Sequence, residues 1–323
     1  MVEPTRKITL IESQLLINRL TGEVTEVFDK VDTGSIKPLY FSFLLGVLEF
    51  DGARVLCLVE DAILVCTINR RDIFRITNPV FIFFRRGYQP TDEQNYQIRA
   101  LTLILKSGMF FSYSYDLTSR VFPDHRTSGT GNKHYNWIEN LQKPLLGCKG
   151  RWAIPVVQGF VGKFSIYVQG KKLLFVLISR RSTKMAGPRY IARGINPDAY
   201  VANFVETEQI MIYENYVASY IHVRGSVPLF WRHIDEYKGL FKGIEIMKSK
   251  EANLQVCGKH LANLKQNYGQ VTIINLLQES NTREAKLISS FESVVKELLN
   301  DSPGSFNYAY YDAKKGVSVQ GKT

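Results

Sequence analysis

Residues 179–209 read SRRSTKMAGPRYIARGINPDAYVANFVETEQ, and this stretch determines how the rest of the chain is interpreted. A short run rich in Leu, Val and Ile, residues 173–178, leads into it and is typical of a buried strand. The segment that follows is basic and carries Arg180, Arg181, Lys184, Arg189 and Arg193. A buried strand that ends in a cationic loop can hold charged side chains over a binding site. A solvated basic loop is the alternative interpretation.

The distribution of charge favours a binding surface. The chain contains 41 Lys and Arg against 30 Asp and Glu, a net charge of +11. Residues 140–197 contain no acidic residue and 11 basic ones, so this window accounts for the whole excess of positive charge. A concentrated basic surface attracts polyanions such as phosphate groups, nucleic acid or an anionic membrane. Lys171 and Lys172 belong to this window and are candidate binding residues.

Two acidic residues, Glu206 and Glu208, follow the basic loop directly. On a helix they diverge, and Asn203 with Glu206 three residues later has the spacing of a capping box; we favour this helix start. On a strand both carboxylates face the same side and form a pair. In either case the carboxylates are placed to orient the arginines of the loop.

Residues 224–231, RGSVPLFW, form the second distinctive segment. Gly225 and Pro228 predict a turn, and Trp231 is large enough to anchor that turn in a core. Arg224 would then be held where it can meet a phosphate or a buried acid, although a purely structural turn is the simpler interpretation.

Composition describes a globular chain without a metal or nucleotide site. The 323 residues suffice for two domains, and no apolar run approaches the length that spans a bilayer. The four cysteines, Cys57, Cys66, Cys148 and Cys257, are scattered, so neither a zinc site nor a disulfide scaffold is indicated, and a reducing, cytosolic compartment fits best. Neither a phosphate-binding GxxxxGK[ST] loop nor a metal-ligand spacing of histidines occurs. We therefore predict no cofactor and no metal.

The hydrophobic pattern changes along the chain. The first half reads as closely spaced strands, interrupted by a helix that begins near Thr91 and Asp92. The second half alternates strands with helices, among them an amphipathic helix over residues 289–300. We place the boundary at 160, with a β-rich part at 1–160 and an α/β part at 161–323.

Several motifs resemble those of SAC-domain phosphoinositide phosphatases, the synaptojanin-like family. They are residues 111–118 (FSYSYDLT), 155–160, 180–182 (RRS), 186–187 (AG), 189–190 (RY), 193–194 (RG), 201–203 (VAN), 205–209 (VETEQ), 224–228 (RGSVP) and Trp231. The resemblance covers nearly the whole chain. Two positions depart from it: Ala199, where the family commonly has glycine, and Pro188, where it has a small polar or β-branched residue.

The resemblance implies an α+β or α/β fold, with a β-rich amino-terminal subdomain packed on an α/β phosphatase subdomain. It implies removal of phosphate from the inositol ring of phosphatidylinositol phosphates, by a cysteine thiolate in a Cys-x5-Arg loop that holds the phosphoryl oxygens. The partners would be these lipids and an anionic membrane surface, with the protein cytoplasmic and peripheral on membranes. The substrate- or membrane-binding residues would be Lys171, Lys172, Arg180, Arg181, Lys184, Arg189, Arg193 and Arg224, supported by Asn203, Glu206, Glu208 and Trp231.

The catalytic loop itself is missing from these 323 residues. Six positions after the four cysteines stand Ile63, Asp72, Ile154 and Asn263, and none of these is arginine. We therefore expect a truncated SAC domain that ends before its nucleophile and does not hydrolyse lipids alone.

Two other functions remain open. One is a non-catalytic module that binds phosphoinositides or anionic membranes, or serves as a scaffold. The other is a nucleic-acid-binding protein, which charge alone suggests; because no nucleic-acid-binding motif is present, we expect no nucleic acid partner.

Overall fold

A computed structural model of the chain describes residues 14–17, 24–27, 41–50, 52–85, 87–121, 132–145, 152–188, 191–235, 241–278 and 282–311. The chain divides into two compact units. The first unit consists of Met1–Thr183 and Glu206–His222, and the second of Lys184–Val205 and Val223–Thr323.

The first unit is built on an eight-stranded sheet in which strands that follow each other along the chain are neighbours. Its strands are β3 (Phe43–Phe50), β4 (Ala53–Ile68), β5 (Arg71–Phe83), β6 (Met109–Phe111), β7 (Val157–Val168), β8 (Lys171–Arg181), β9 (Val205–Tyr213) and β10 (Tyr216–Arg224). The pairs from β3 to β8 are antiparallel. Two earlier strands, β1 (Gln14–Ile17) and β2 (Val24–Val27), form a separate antiparallel pair. The predicted β-rich first half is confirmed.

The β7–β8 hairpin shows how local sequence sets the register. Gln169 and Gly170 form its two-residue loop, with φ values of 50 and 76. Positive φ at both loop positions matches the right-handed twist of the flanking strands, and glycine reaches it without steric cost. Across this hairpin Phe164 pairs with Phe175, and Val161 pairs with Ile178.

One helix interrupts the sheet, as the sequence predicts. Helix α1 (Asp92–Lys106) lies between β5 and β6, and its cap is Thr91, whose side chain accepts from the Gln94 amide in a reciprocal capping box. Two 3₁₀ helices, Lys133–Tyr135 and Lys143–Leu145, precede β7. The core of the unit lies on the inward-facing positions of the strands, among them Val161, Val176 and Ile178.

The second unit combines two helices with two small sheets. Strands β11 (Trp231–Asp235) and β12 (Phe241–Ile246) are antiparallel, while β13 (Thr272–Asn275) and β14 (Asn307–Tyr310) are parallel. The helices are α2 (Lys250–Tyr268) and α3 (Thr282–Asp301), and α3 connects the two parallel strands as a crossover. The predicted amphipathic helix over 289–300 is confirmed, and it begins earlier than predicted.

The fold class is therefore mixed α+β, with a β-rich unit and an α/β unit, as predicted. Position 160, at which we divide the chain by sequence, lies within β7, so the limits 1–160 and 161–323 of the family subdomains stay a prediction. None of the described helices is both long and apolar enough to cross a membrane.

Trp231 anchors the core of the second unit. It is 6% exposed and packs in one cluster with Leu229, Cys257 and Phe291. Its indole Nε1–H donates to the Val227 carbonyl oxygen at 3.2 Å. This hydrogen bond links the tryptophan to the turn, because Val227 is the residue before Pro228. The prediction that Trp231 is a core residue is confirmed.

Replacing Trp231 with alanine should lower the free energy of unfolding by about 3–5 kcal/mol, because a large core side chain is lost and its cavity remains. Urea denaturation of the 323-residue chain measures this. Trp231→Phe is the matched control and should cost less, since it keeps most of the packing and loses the indole N–H. Equal stability of Trp231→Ala and the unmodified chain would contradict the core role.

We expect the burial of His260 to make the stability of the second unit depend on pH. Its Nδ1 lies 3.0 Å from the Ala199 carbonyl oxygen and donates to it, and the ring meets Phe204 edge-on with centroids 6.4 Å apart. Burial lowers the pKa of His260 below 6.5, although the hydrogen bond to Ala199 partly opposes this. The unfolded chain therefore takes up this proton at a higher pH than the folded chain.

It follows that stability should fall as pH decreases below 6.5, and that the contribution of His260 should be constant above that value. Thermal unfolding across this pH range measures the slope. His260→Asn keeps a donor near the position of Nδ1 but cannot titrate, so its slope should be shallower. An identical slope in both proteins would show that His260 is not the group responsible.

Candidate functional site

The segment after the basic loop is a strand rather than a helix. Glu206 and Glu208 lie on β9, and the predicted helix start at Asn203 is wrong. Asn203 has a φ of 55, so the backbone turns through the left-handed region just before the strand begins. Its side-chain amide donates to the Ala192 carbonyl oxygen at 3.3 Å. Because residues two apart on a strand face the same side, the alternative prediction of a carboxylate pair is confirmed.

Both carboxylates bind Arg180, the last-but-one residue of β8. Arg180 Nη2 lies 2.8 Å from Glu208 Oε2, and Nη1 lies 3.3 Å from Glu206 Oε1. All three side chains are buried, and Arg180 is 0% exposed. The prediction that these glutamates orient an arginine of the basic stretch is therefore confirmed for Arg180.

Two further hydrogen bonds from the guanidinium of Arg180 go to a distant segment of the first unit. Nε donates to the Leu117 carbonyl oxygen at 2.6 Å, and Nη2 donates to the Ser119 carbonyl oxygen at 2.7 Å. Glu208 in turn accepts from the Val121 amide at 2.9 Å, and Arg120 reaches Glu206 at 3.5 Å. One ionic cluster thus ties residues 117–121 to β8 and β9.

The charges of this cluster are balanced internally. Burial alone would lower the pKa of Arg180, but the negative charges of Glu208 and Glu206 outweigh it and raise that pKa above its usual value. Arg180 is therefore ionised, as is expected for an arginine at any physiological pH. Two arginines, Arg180 and Arg120, face two carboxylates, which leaves no net positive charge to attract a phosphate.

The predicted contact of Arg180 with lipid needs correction. A side chain with no exposed surface and four hydrogen bonds to protein groups cannot reach a headgroup without the cluster opening. Arg180 is buried because the two carboxylates on the neighbouring strand β9 bind its guanidinium within the core. Arg180 holds the sheet together and is not a surface contact.

The other basic residues of the first unit face outward or lie partly covered. Lys171 and Lys172 are exposed at the tip of the β7–β8 hairpin, where the Lys171 ammonium lies 5.4 Å from the ring centroid of Tyr213. Arg181 is partly buried: its guanidinium stacks 5.6 Å from the Trp137 ring centroid and donates to Gln158 Oε1 at 3.2 Å.

The second unit holds the remaining predicted cations. Lys184 and Arg224 are exposed, and the Lys184 ammonium lies 5.7 Å from the Tyr200 ring centroid. Arg193 is partly buried, with its guanidinium 5.7 Å from the Trp231 ring centroid and its Nε donating to His233 Nε2 at 3.1 Å. Arg189 lies outside the described residues.

A close backbone contact fixes the segment that carries Arg193. Gly194 has a φ of 70, and a Cβ placed there would lie 2.6 Å from the Leu229 carbonyl oxygen, so no larger residue fits. Its amide donates to Ser226 Oγ at 2.8 Å. Arg193 and the turn at 224–231 are thus held together within the second unit.

Ala199, which departs from the family pattern, also has a positive φ, of 69. This explains why glycine is the common residue at that position: the left-handed conformation costs other residues free energy. The turn is supported by Asn196, whose Oδ1 accepts from the Tyr200 amide at 2.8 Å.

The described cysteines are unsuited to attack phosphorus. Cys57, Cys66 and Cys257 are buried. Burial raises the pKa of Cys57 and of Cys257 to about 12 and also raises that of Cys66, so the thiolate is disfavoured in all three. Cys148 lies outside the described residues. Among the residues that the structure describes, no group of three or more His, Cys, Asp or Glu side chains is arranged to hold a metal ion.

The structure thus brings some predicted residues together and not others. It joins Arg180 to Glu206 and Glu208 in the first unit, and Arg193 to Trp231 in the second. Sequence reasoning missed the carbonyls of 117–119 and Arg120, because they lie about sixty residues from Arg180 in the chain and most are backbone groups. The one local signal is Asp116, whose Oδ1 accepts from the Thr118 amide at 2.9 Å and shapes that segment.

Replacing Arg180 with methionine should lower the free energy of unfolding by about 3–5 kcal/mol, because the buried carboxylate of Glu208 loses its cation and Glu206 keeps only Arg120. Chemical denaturation of the 323-residue chain measures the change. The variant Arg180→Met with Glu208→Gln should recover much of the loss, since Glu206 keeps Arg120 as its cation. A single variant as stable as the unmodified chain would disprove the structural role.

Comparison with known proteins identifies the family. The model of the SacI homology domain matches residues 42–318. Human synaptojanin-1 is 33% identical over 295 residues, which cover 86% of this chain and 18% of that protein. The polyphosphoinositide phosphatase of Schizosaccharomyces pombe is 29% identical over 85% of this chain and 37% of its own length.

A third relative, phosphatidylinositol-3-phosphatase SAC1-A of Danio rerio, is 29% identical over 71% of this chain and 40% of its own length. The chain therefore spans less than half the length of each of these relatives. Since the family model matches most of the chain, and since the motifs at 180–231 predict the same family, the chain belongs to the SacI homology domain family.

Proposed function

We propose that this chain is the front part of a phosphoinositide phosphatase that removes inositol-ring phosphates from phosphatidylinositol phosphates at a membrane. The family match over residues 42–318 carries this proposal. Two relatives are named as a polyphosphoinositide phosphatase and a phosphatidylinositol-3-phosphatase, which indicates the substrate class. The protein would act from the cytoplasm and bind membranes peripherally.

The exposed cations would bind the anionic lipid. Lys171 and Lys172 supply charge from the first unit, and Lys184 and Arg224 supply it from the second. Arg181 and Arg193 are partly buried against tryptophan rings, which would hold them in fixed orientations for phosphate oxygens. Arg189 remains a candidate on sequence alone. Asn203, Glu206, Glu208 and Trp231 would support these residues from within each unit.

Hydrolysis would need a nucleophile that these residues do not provide. Phosphoryl transfer requires a positioned attacking group and fixed donors for the phosphoryl oxygens. Three of the four cysteines are buried with raised pKa, and none of the four is followed by arginine at the sixth position. We therefore propose that the 323-residue chain binds lipid but does not turn it over.

The cysteines that lack an arginine at the sixth following position also favour the second candidate. This candidate is a non-catalytic module that binds phosphoinositides or anionic membranes or serves as a scaffold. The two functions share the basic surface and differ in the nucleophile. A longer chain that carries a Cys-x5-Arg loop beyond Thr323 distinguishes them.

The test is phosphate release from short-chain phosphatidylinositol monophosphates, measured with and without magnesium. The 323-residue chain should release no phosphate above background, because none of its four cysteines is followed by arginine at the sixth position. A chain extended through its encoded downstream sequence should release phosphate, and replacing the cysteine of the new loop with serine should abolish that activity.

Turnover by the 323-residue chain that a single substitution within it abolishes would contradict the proposal. Lipid binding without phosphate release from the extended chain would support the non-catalytic module instead.

A further inference from the structure

The outer face of the β7–β8 hairpin is apolar and exposed. Side chains on alternate positions of β7 and β8 point away from the buried Val161 and Ile178, and those of Phe164 and Phe175 pair across the strands with their rings stacked at 5.3 Å. We call these residues the apolar hairpin face: Phe160, Phe164, Ile166 and Val168 on β7, and Leu173, Phe175 and Leu177 on β8. Phe160 and Phe164 are each 53% exposed, and Val168 is 49% exposed.

The hairpin also projects beyond the core at its tip. From Lys163 to Lys172 every residue is exposed, on both faces of the hairpin, and Tyr167 is 70% exposed. Inward-facing positions become buried only further along β8, at Val176 and Ile178. The tip of this hairpin therefore does not contribute side chains to the core of the first unit.

A second hairpin, β9–β10, ends beside the first. Ser179 Oγ meets Thr207 Oγ1 at 3.0 Å, whereas Lys171 meets the ring of Tyr213, so β8 and β9 run in opposite directions and both loops lie at the same end of the sheet. The second hairpin adds Tyr216, 74% exposed, and Tyr220, 68% exposed. The two hairpins thus present phenylalanine and tyrosine rings together.

The tips of the two hairpins carry more positive than negative charge. Strands β7 and β8 and their loop contain no acidic residue and carry Lys163, Lys171 and Lys172. The second loop contributes one acid, Glu214. The glutamates of β9 lie at the opposite end of the strand, where they are buried and paired with Arg180.

We infer that the two hairpin tips insert their aromatic side chains into the headgroup region of an anionic bilayer. Tyrosine places an apolar ring and a polar hydroxyl at a membrane interface, and lysine can extend to anionic headgroups while its stem contacts lipid. Lysine is depleted in the cores of protein interfaces, so its combination with exposed rings favours lipid over a protein partner. Because the strands of each hairpin are paired, their backbone groups keep their hydrogen bonds when the tip enters the headgroup region. The inference rests on the proposed function, since it specifies how that lipid surface is held.

Fluorescence at the tip tests the insertion. An environment-sensitive fluorophore attached at Val168→Cys, in a chain with Cys148→Ser, reports the polarity of its surroundings; the other three cysteines are buried. Vesicles of phosphatidylcholine with phosphatidylserine should shift its emission to the blue, and vesicles of phosphatidylcholine alone should not. The same fluorophore at Leu103→Cys is the control, since Leu103 is 70% exposed on α1, away from these hairpins.

Sedimentation with the same vesicles separates the apolar from the electrostatic part of binding. Replacing Tyr167, Tyr216 and Tyr220 with serine should reduce the partition coefficient at least about tenfold, because binding scales with buried apolar area. The matched control, Tyr96→Ser with Leu103→Ser on α1, should change it less than about twofold. Replacing Lys171 and Lys172 with alanine should weaken binding mainly at low salt, where screening is weakest.

Three results would overturn the inference. One is a chain that binds anionic vesicles without a blue shift at position 168. Another is a tyrosine variant that binds as well as the unmodified chain. The third is a blue shift that grows with protein concentration in the absence of vesicles, which would assign the face to a second copy of the chain. Because phosphatidylserine is the probe, none of these results depends on phosphate release, so failure here is distinct from failure of the phosphatase proposal.

Discussion

The first unit depends on placing one charged group, the guanidinium of Arg180, where water cannot reach it. Removing an ion from water costs several kcal/mol, and only fixed partners on several sides offset that cost. Arg180 finds them in Glu206 and Glu208 of the neighbouring strand and in the carbonyls of Leu117 and Ser119. Because these partners are rigid and spatially specific, the cluster fixes the register of β8 against β9 and the path of residues 117–121.

This constraint divides the basic stretch into residues with opposite roles. Arg180 and Arg181 are adjacent in the chain, and strand alternation turns one into the core and leaves the other against the ring of Trp137. Charge density along the sequence therefore overstates the charge available for lipid. Among the described candidate residues, those with exposed charge are Lys171 and Lys172 at the hairpin tip, and Lys184 and Arg224 of the second unit.

The second unit is held together at its turn by close backbone packing, whereas the first unit is held together by a buried ionic cluster. Gly194 lets the chain approach the Leu229 carbonyl too closely for any side chain, and Trp231 fills the core beneath that turn. Arg193 is held between the tryptophan ring and His233.

Local pattern determined much of this protein. The sequence predicted the features that depend on residues near one another in the chain. These are the helix start at Thr91, the amphipathic helix at 289–300, the strand at 173–178 and the motifs of the SacI homology family. Only the tertiary structure decided that Glu206 and Glu208 lie on a strand. The sequence is ambiguous there, because Asn203 and Glu206 have the spacing of a helix capping box, whereas Glu206 and Glu208 have the spacing of a pair on one face of a strand. It alone decided that Arg180 is buried, because four of its acceptors lie on other segments and two of them are backbone carbonyls that no side-chain pattern encodes.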